Sequence, residues 1–134
     1  MIAVDSSVVI AGFASWSEHH RQARRILDDG ARLVAHAAME AYSVLTRLPP
    51  PHRAPPDVVH EFLVTQFREP WLTLSERRQR KLLAMCARSA VAGGATYDAL
   101  IASTAGAHDA VLASCDKRAV PTYEAMGTTV RLIA

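Results

Sequence analysis

Four acidic residues stand where an apolar run gives way to polar chain or where a helix opens. Asp5 directly follows Ile2-Ala3-Val4, and Asp116 comes two residues after Ser114 at the end of a second apolar run, Ala110-Val111-Leu112-Ala113. Glu40 lies near the start of a helical stretch, and Asp98 lies just beyond Gly93-Gly94 in the first turn of another. One carboxylate at a helix N-terminus is explained as a cap that satisfies free N–H groups. Four at one edge are not, because like charges in one cleft repel unless a cation binds or protons are retained. Hard Mg2+ or Mn2+ takes oxygen ligands of this kind.

Other chemistries fit less well. The six histidines, His19, His20, His36, His52, His60 and His108, are scattered, and no HExxH is formed, so zinc is disfavoured. Neither GxxxxGK[ST] nor GxGxxG occurs, which removes a P-loop or dinucleotide site. Ser6 and Ser114 lack a histidine at a matching strand end to act as base, and they are read as polar support for metal and water. Cys86 and Cys115 form no CxxC pair and are read as reduced thiols.

The elements that must hold these acids alternate. Ile2–Val4 reads as a buried first strand, Val8–Ala14 as a short helix, and Ser17–His20 opens a longer amphipathic helix stopped by Gly30. Leu33-Val34-Ala35 reads as a second strand, followed by a helix from Ala37 to Leu48 that breaks at Pro49-Pro50-Pro51. Asp57–Phe67 is expected as a helix with Val58, Val59, Phe62 and Leu63 facing inward, and Trp71–Leu74 as a third strand. A basic helix capped by Ser75-Glu76 and a helix from about Tyr97 to Ala107, capped by Thr96, lead to the fourth strand at Ala110–Ala113 and a last one at Thr129–Ile133. Mostly apolar strands separated by helices indicate a parallel sheet covered on both faces. In such sheets ligands bind beyond the carboxyl ends of the strands, where Asp5 and Asp116 converge if their strands are neighbours.

Composition sets the outer bounds. A chain of 134 residues, half of them hydrophobic and 21% charged, is a single domain over 1–134 and no disordered tail. The longest apolar run, Val8–Ala14, is too short for a bilayer, and no signal-peptide pattern is present, so a soluble cytoplasmic protein without membrane contact is expected. A net charge of +2 permits a phosphate-bearing partner without demanding one.

At these residues the sequence resembles the PIN-domain ribonucleases, and within them the VapC toxins of toxin–antitoxin pairs. The resemblance rests on Ile2-Ala3-Val4-Asp5-Ser6-Ser7-Val8, Met39-Glu40-Ala41-Tyr42, Gly93-Gly94-Ala95-Thr96-Tyr97-Asp98-Ala99-Leu100-Ile101-Ala102 and Leu112-Ala113-Ser114-Cys115-Asp116-Lys117-Arg118, in that order and spacing. His36 and Ala37 depart from it, standing where many relatives have Ser or Pro. It implies a three-layer α/β/α fold with a roughly five-stranded parallel sheet, and a metal-dependent endoribonuclease with Asp5, Glu40, Asp98 and Asp116 as the acidic cluster. Asp5 and Asp98 are then the first candidates to ligate Mg2+ or Mn2+, Asp116 binds the same or a second ion, and Glu40 ligates or orients the attacking water. An acidic site repels RNA, so a basic rim is needed. Arg47, Lys117 and Arg118 are nearest by sequence, while Arg77–Lys81 is read as a solvated face.

Two rivals stand beside this reading. A phosphoaspartyl phosphohydrolase would want an Asp-x-Asp pair or paired acids at the first strand, and Asp5 is followed by Ser6-Ser7 instead. A catalytically silent binding module would tolerate loss of acids, and all four are present. The resemblance also implies a VapB-type antitoxin, a homodimer and a toxin–antitoxin hetero-oligomer. Val9, Phe13, Trp16 and Ile26 are candidates for the antitoxin groove, or else simply fill the core or a self-association face.

Overall fold

The computed structural model describes all residues, Met1–Ala134. In chain order the elements are β1 (Ile2–Val4), α1 (Ser6–Phe13), α2 (His20–Asp28), β2 (Arg32–Leu33), α3 (Ala35–Arg47), α4 (Pro56–Gln66), α5 (Glu76–Arg88), α6 (Ala95–Ala107), β3 (Val111–Ser114), α7 (Val120–Ala125) and β4 (Val130–Leu132). The sheet runs β2-β1-β3-β4 and is parallel throughout. The chain leaves β1 toward β2 and returns on the other side at β3, so the strand order reverses between β1 and β3. Register pairs Val4 with Ala113, which sets Asp5 beside Ser114 at the carboxyl edge. No helix is long and apolar enough to cross a membrane.

Consecutive strand residues point to opposite faces, and Leu112, Ala113 and Ser114 are all fully buried, as are Ala3 and Val4. Both faces of the central strands are therefore covered, which makes the expected three layers. The small residues Ala37, Ala38 and Ala41 with Leu45 are what α3 buries, and Ala99, Ile101, Ala102 and Ala105 are what α6 buries. Alanine-rich faces let these helices approach the sheet closely and leave Met39, Tyr42 and Tyr97 outside. A second small cluster of Leu74, Leu82, Cys86 and Ala99 seats α5 on α6.

The structure corrects several expectations. The sheet has four strands rather than five: Trp71–Leu74 pairs only through a bridge between Leu72 and Val34, with N–H···O contacts of 2.8 and 2.9 Å to Leu33 and Ala35. Pro70 on one side has no N–H to offer and Ser75 on the other already caps α5, which confines the segment to four residues. Helix α7, opened by a proline in its first turn, was not expected. Val58 is exposed, Thr96 caps nothing, and β2 ends at Leu33 because Val34 already precedes α3. Of the four groove candidates, Val9 is wholly buried, Phe13 packs edge-on against Phe62 at 5.3 Å, and Ile26 packs on the main core. Only Trp16 stands clear, with its ring against His52 at 4.3 Å.

Candidate active site

The site is built on the reversal point of the sheet. Asp5 ends β1 and is the N-cap of α1, its Oδ1 accepting the Val8 N–H at 3.1 Å and the Ser7 hydroxyl at 2.5 Å. Its Oδ2 accepts the Tyr123 hydroxyl at 2.8 Å. The residue is 1% exposed, so the carboxylate is held by three donors with almost no access to water. Burial pushes its pKa up, and the hydroxyls of Ser114, Ser7 and Tyr123 with the Val8 amide pull it back without reversing the rise.

Asp98 sits in the first turn of α6, where the helix dipole favours a negative charge. Its carboxyl is nonetheless raised above the ordinary value, first by burial and then by the charge of Glu40. Arg118 opposes the rise, and Asp116 and Asp5 add to it. The other three predicted acids thus all act on the Asp98 carboxyl.

Asp116 is positioned by a local turn: its N–H donates to Ser114 Oγ at 2.9 Å, and its Oδ1 accepts the Arg118 N–H at 3.0 Å. Ser114, fully buried, also lies 3.5 Å from Ser7 Oγ, and Ser7 Oγ accepts the Cys115 N–H at 2.8 Å. One chain of hydroxyls therefore ties the end of β1 to the end of β3. Glu40, in the second turn of α3, lies 3.8 Å from His36 Nε2.

The predicted supporting residues divide. Ser114 holds the Asp116 turn, whereas Ser6 lines a groove beside Glu40, and the hydroxyl on Asp5 is that of Ser7. Arg118 is exposed, and its guanidinium lies on Asp116 Oδ2 at 3.3 Å. An exposed pair of this kind is worth at most about 1 kcal/mol, so Arg118 can leave Asp116 for a phosphate or stay to neutralise it. Lys117 is exposed beside it. Arg47, in the last turn of α3, donates to Ser43 Oγ and lines the Glu40 groove.

Ser7 and Tyr123 were not singled out from the sequence. Ser7 had a signal, since a hydroxyl two residues past an Asp cap can fold back on it; Tyr123, 118 residues away in sequence, had none.

The donor set around the acids is carboxylate and hydroxyl oxygen. Burial pushes the Cys115 thiol up to about 11, leaving it protonated and unfit as a thiolate ligand or nucleophile. No three His, Cys, Asp or Glu side chains form a closed cage for an ion. That arrangement fits Mg2+, which keeps several waters and binds through one or two carboxylates together with substrate phosphates. It does not fit a structural zinc. A carboxylate as buried and hydrogen-bonded as Asp5 is also a poor phosphoaspartyl nucleophile. The largest cavity, about 660 Å³, lies elsewhere, around Met1, Gln22, Arg25 and Arg32, and touches none of the four acids.

Comparison with known proteins gives a consistent picture. The PIN domain family profile matches residues 2–124. The chain is 50% identical over 133 residues to Ribonuclease VapC40 of Mycobacterium tuberculosis, covering 99% of each. It is 38% identical over 143 residues to Ribonuclease VapC27 of the same organism, covering 99% of this chain and 97% of that one. In structure it is similar to FitAcB from Neisseria gonorrhoeae, with a TM-score of 0.69 at 20% identity over 97% of this chain and 96% of that one. VapBC2 from Rickettsia felis, solved bound to a DNA fragment from its promoter, matches with a TM-score of 0.68 at 11% identity over 100% of both chains. At those identities the likeness concerns the fold alone.

Proposed function

The chain belongs to the PIN-domain family, and from that premise we propose that it is a VapC-type endoribonuclease, cutting RNA phosphodiester bonds with Mg2+ or Mn2+ as the toxin of a toxin–antitoxin pair. The observation that carries the proposal is the environment of Asp98, raised by burial and by Glu40, Asp116 and Asp5 together. Such repulsion is relieved when a cation binds or a proton is retained, and a divalent ion would relieve it at neutral pH. The names of the ribonucleases that the chain matches over nearly its whole length supply the reaction class.

Asp5, Asp98 and Asp116 would hold the ion. The chemistry such a divalent cation would supply there is activation of water and compensation of the charge that develops on the phosphate oxygens. The chain's own contribution is position and charge. Ser7, Val8 and Tyr123 occupy three acceptor sites of Asp5 and fix which lone pairs remain, all but one of its hydrogen bonds falling on Oδ1. Ser114 sets the turn that aims Asp116. Glu40 would ligate the ion or orient the attacking water. Arg118 and Lys117 on the Asp116 side and Arg47 on the Glu40 side draw the RNA backbone to an edge that the acids alone would repel.

The test is incubation with a mixed RNA pool and Mg2+, with and without EDTA, followed by mapping of the new ends. Discrete cuts that need the metal and vanish in Asp98→Asn are expected. Full activity in EDTA would overturn the metal assignment, and no cleavage of any RNA the nuclease one.

A further inference from the structure

The acids account for one side of the reversal point; in the groove on the Glu40 side only Glu40 and Arg47 have a role so far, and His36, Met39 and Tyr97 have none. It measures about 420 Å³, and Ser6, His36, Met39, Glu40, Arg47 and Tyr97 are among its walls. That volume falls within the range of small-ligand sites, about 300–1,000 Å³.

Two features of its lining resist a purely structural account. Tyr97 is 52% exposed and Met39 65% exposed, although both lie on helices with buried faces already complete in alanine, leucine and isoleucine. The imidazole of His36 lies flat on the Tyr97 ring, with centroids 5.1 Å apart and planes within 8°. The pair bridges the starts of α3 and α6, the two helices that carry Glu40 and Asp98. His36 is one helical turn before Glu40, and Tyr97 is next to Asp98. Arg47 completes the groove with a guanidinium that meets the Ser43 hydroxyl and no carboxylate. A flat exposed aromatic surface beside a phosphate-cleaving centre, followed by a cation, matches an unpaired nucleotide: a base has a π face for the ring, and its backbone carries the charge for the arginine.

We propose that the stacked Tyr97–His36 pair is a platform for one unpaired base of the RNA flanking the scissile phosphate, with Arg47 taking a neighbouring phosphate. The proposal rests on the nuclease reading above and assigns to this groove the choice of where the strand is cut. Stacking tolerates any base but favours unpaired ones, so the platform selects loops and single strands over duplex.

The test compares Tyr97→Ala, Tyr97→Leu, Tyr97→Phe and His36→Ala with the parent protein. Cut positions and kcat/KM are measured on an RNA that the parent cleaves. In the Asp98→Asn background, 2-aminopurine is placed at each position around the cut and its fluorescence read. The expected result is quenching at one flanking position, lost in Tyr97→Ala and Tyr97→Leu and kept in Tyr97→Phe, with kcat/KM falling about 5- to 100-fold in the first two. Thermal melting should not move, because the ring is half exposed. If the parent cuts RNA while Tyr97→Ala cuts the same sites at the same kcat/KM and no position is quenched, the platform is overturned and the nuclease reading stands. A Tyr97→Ala protein altered only in affinity for a protein partner would also overturn it. If the parent neither cuts nor binds RNA, both readings fall.

Discussion

The Tyr123 hydroxyl donates to Asp5 Oδ2 across 2.8 Å, joining α7 to the end of β1. Both residues are buried. Burial and the charge of Asp5 push the phenol pKa up, so Tyr123 stays a donor at any pH the fold survives. An acid that must present one oxygen to an ion needs its other acceptor sites filled, and this bond fills one of them.

Tyr123→Phe is therefore expected to keep the fold while removing a buried donor from a carboxylate, at a cost of about 1–3 kcal/mol. With one opposing hydrogen bond gone, the Asp5 carboxyl should rise further, moving the acidic limb of the pH–activity profile upward. A phenyl ring that merely fills space would lower the melting temperature and leave the profile in place. Ser7→Ala should act in the same direction on Oδ1, and comparing the two profiles checks that both work through Asp5.

Asp98→Asn should raise the melting temperature of the metal-free protein and reduce the further rise produced by Mg2+. The amide keeps the shape and removes one of four mutually repelling charges. The same change at Asp5 is less clean: all three of its partners are donors, and an NH2 group would face one of them. Asp5→Asn should therefore lose activity without gaining stability. Melting curves with EDTA and with Mg2+ check both variants.

The raised carboxyls of Asp5 and Asp98 fix the sign of a pH effect. Below the ordinary aspartate value of 3.8, folded and unfolded chains both hold these protons, and the pair costs nothing. As pH rises past 3.8 the unfolded chain releases them first, so this contribution to stability is lost between 3.8 and the raised native values. The difference in melting temperature between Asp98→Asn and the parent, both without metal, should widen in favour of the variant across that window. A difference that is flat with pH would mean that Asp98 titrates normally.

The site was legible where it depends on strand ends. Asp5 and Asp116 follow apolar runs, parallel pairing makes those runs neighbours, and the carboxyl edge does the rest. Helix periodicity found α3 but not its orientation. Met39 and Tyr42 recur at the right spacing and still face outward, because close packing on the sheet is better served by Ala37, Ala38 and Ala41. Trp71–Leu74 has strand composition, yet its flanks leave it a single bridge. The hydroxyl on Asp5 from Tyr123 was invisible, since nothing local announces a contact across 118 residues. Pairings of that kind are set by the tertiary fold, not by propensity or period.

A free nuclease would damage the cell that makes it, and a protein partner that silences it must deal with four acids. We expect an antitoxin of VapB type to place an Arg or Lys among Asp5, Glu40, Asp98 and Asp116, where it would offset their repulsion and compete with metal. Arg118 already does this in part at Asp116. Co-expression with a small protein encoded immediately upstream should give a tight complex that no longer cuts RNA and no longer gains stability from Mg2+. Trp16, the exposed one of the four apolar groove candidates, in the turn between α1 and α2, is the residue whose replacement by Ala should weaken that complex without lowering the activity of the free protein. In the complex, the stabilising effect of Asp98→Asn seen in the metal-free protein should disappear, because the partner's cation then supplies what the lost charge relieved. A complex that still cleaves RNA would remove the toxin assignment and leave the nuclease one; a complex that responds to Mg2+ as the free chain does would place the partner away from the acids.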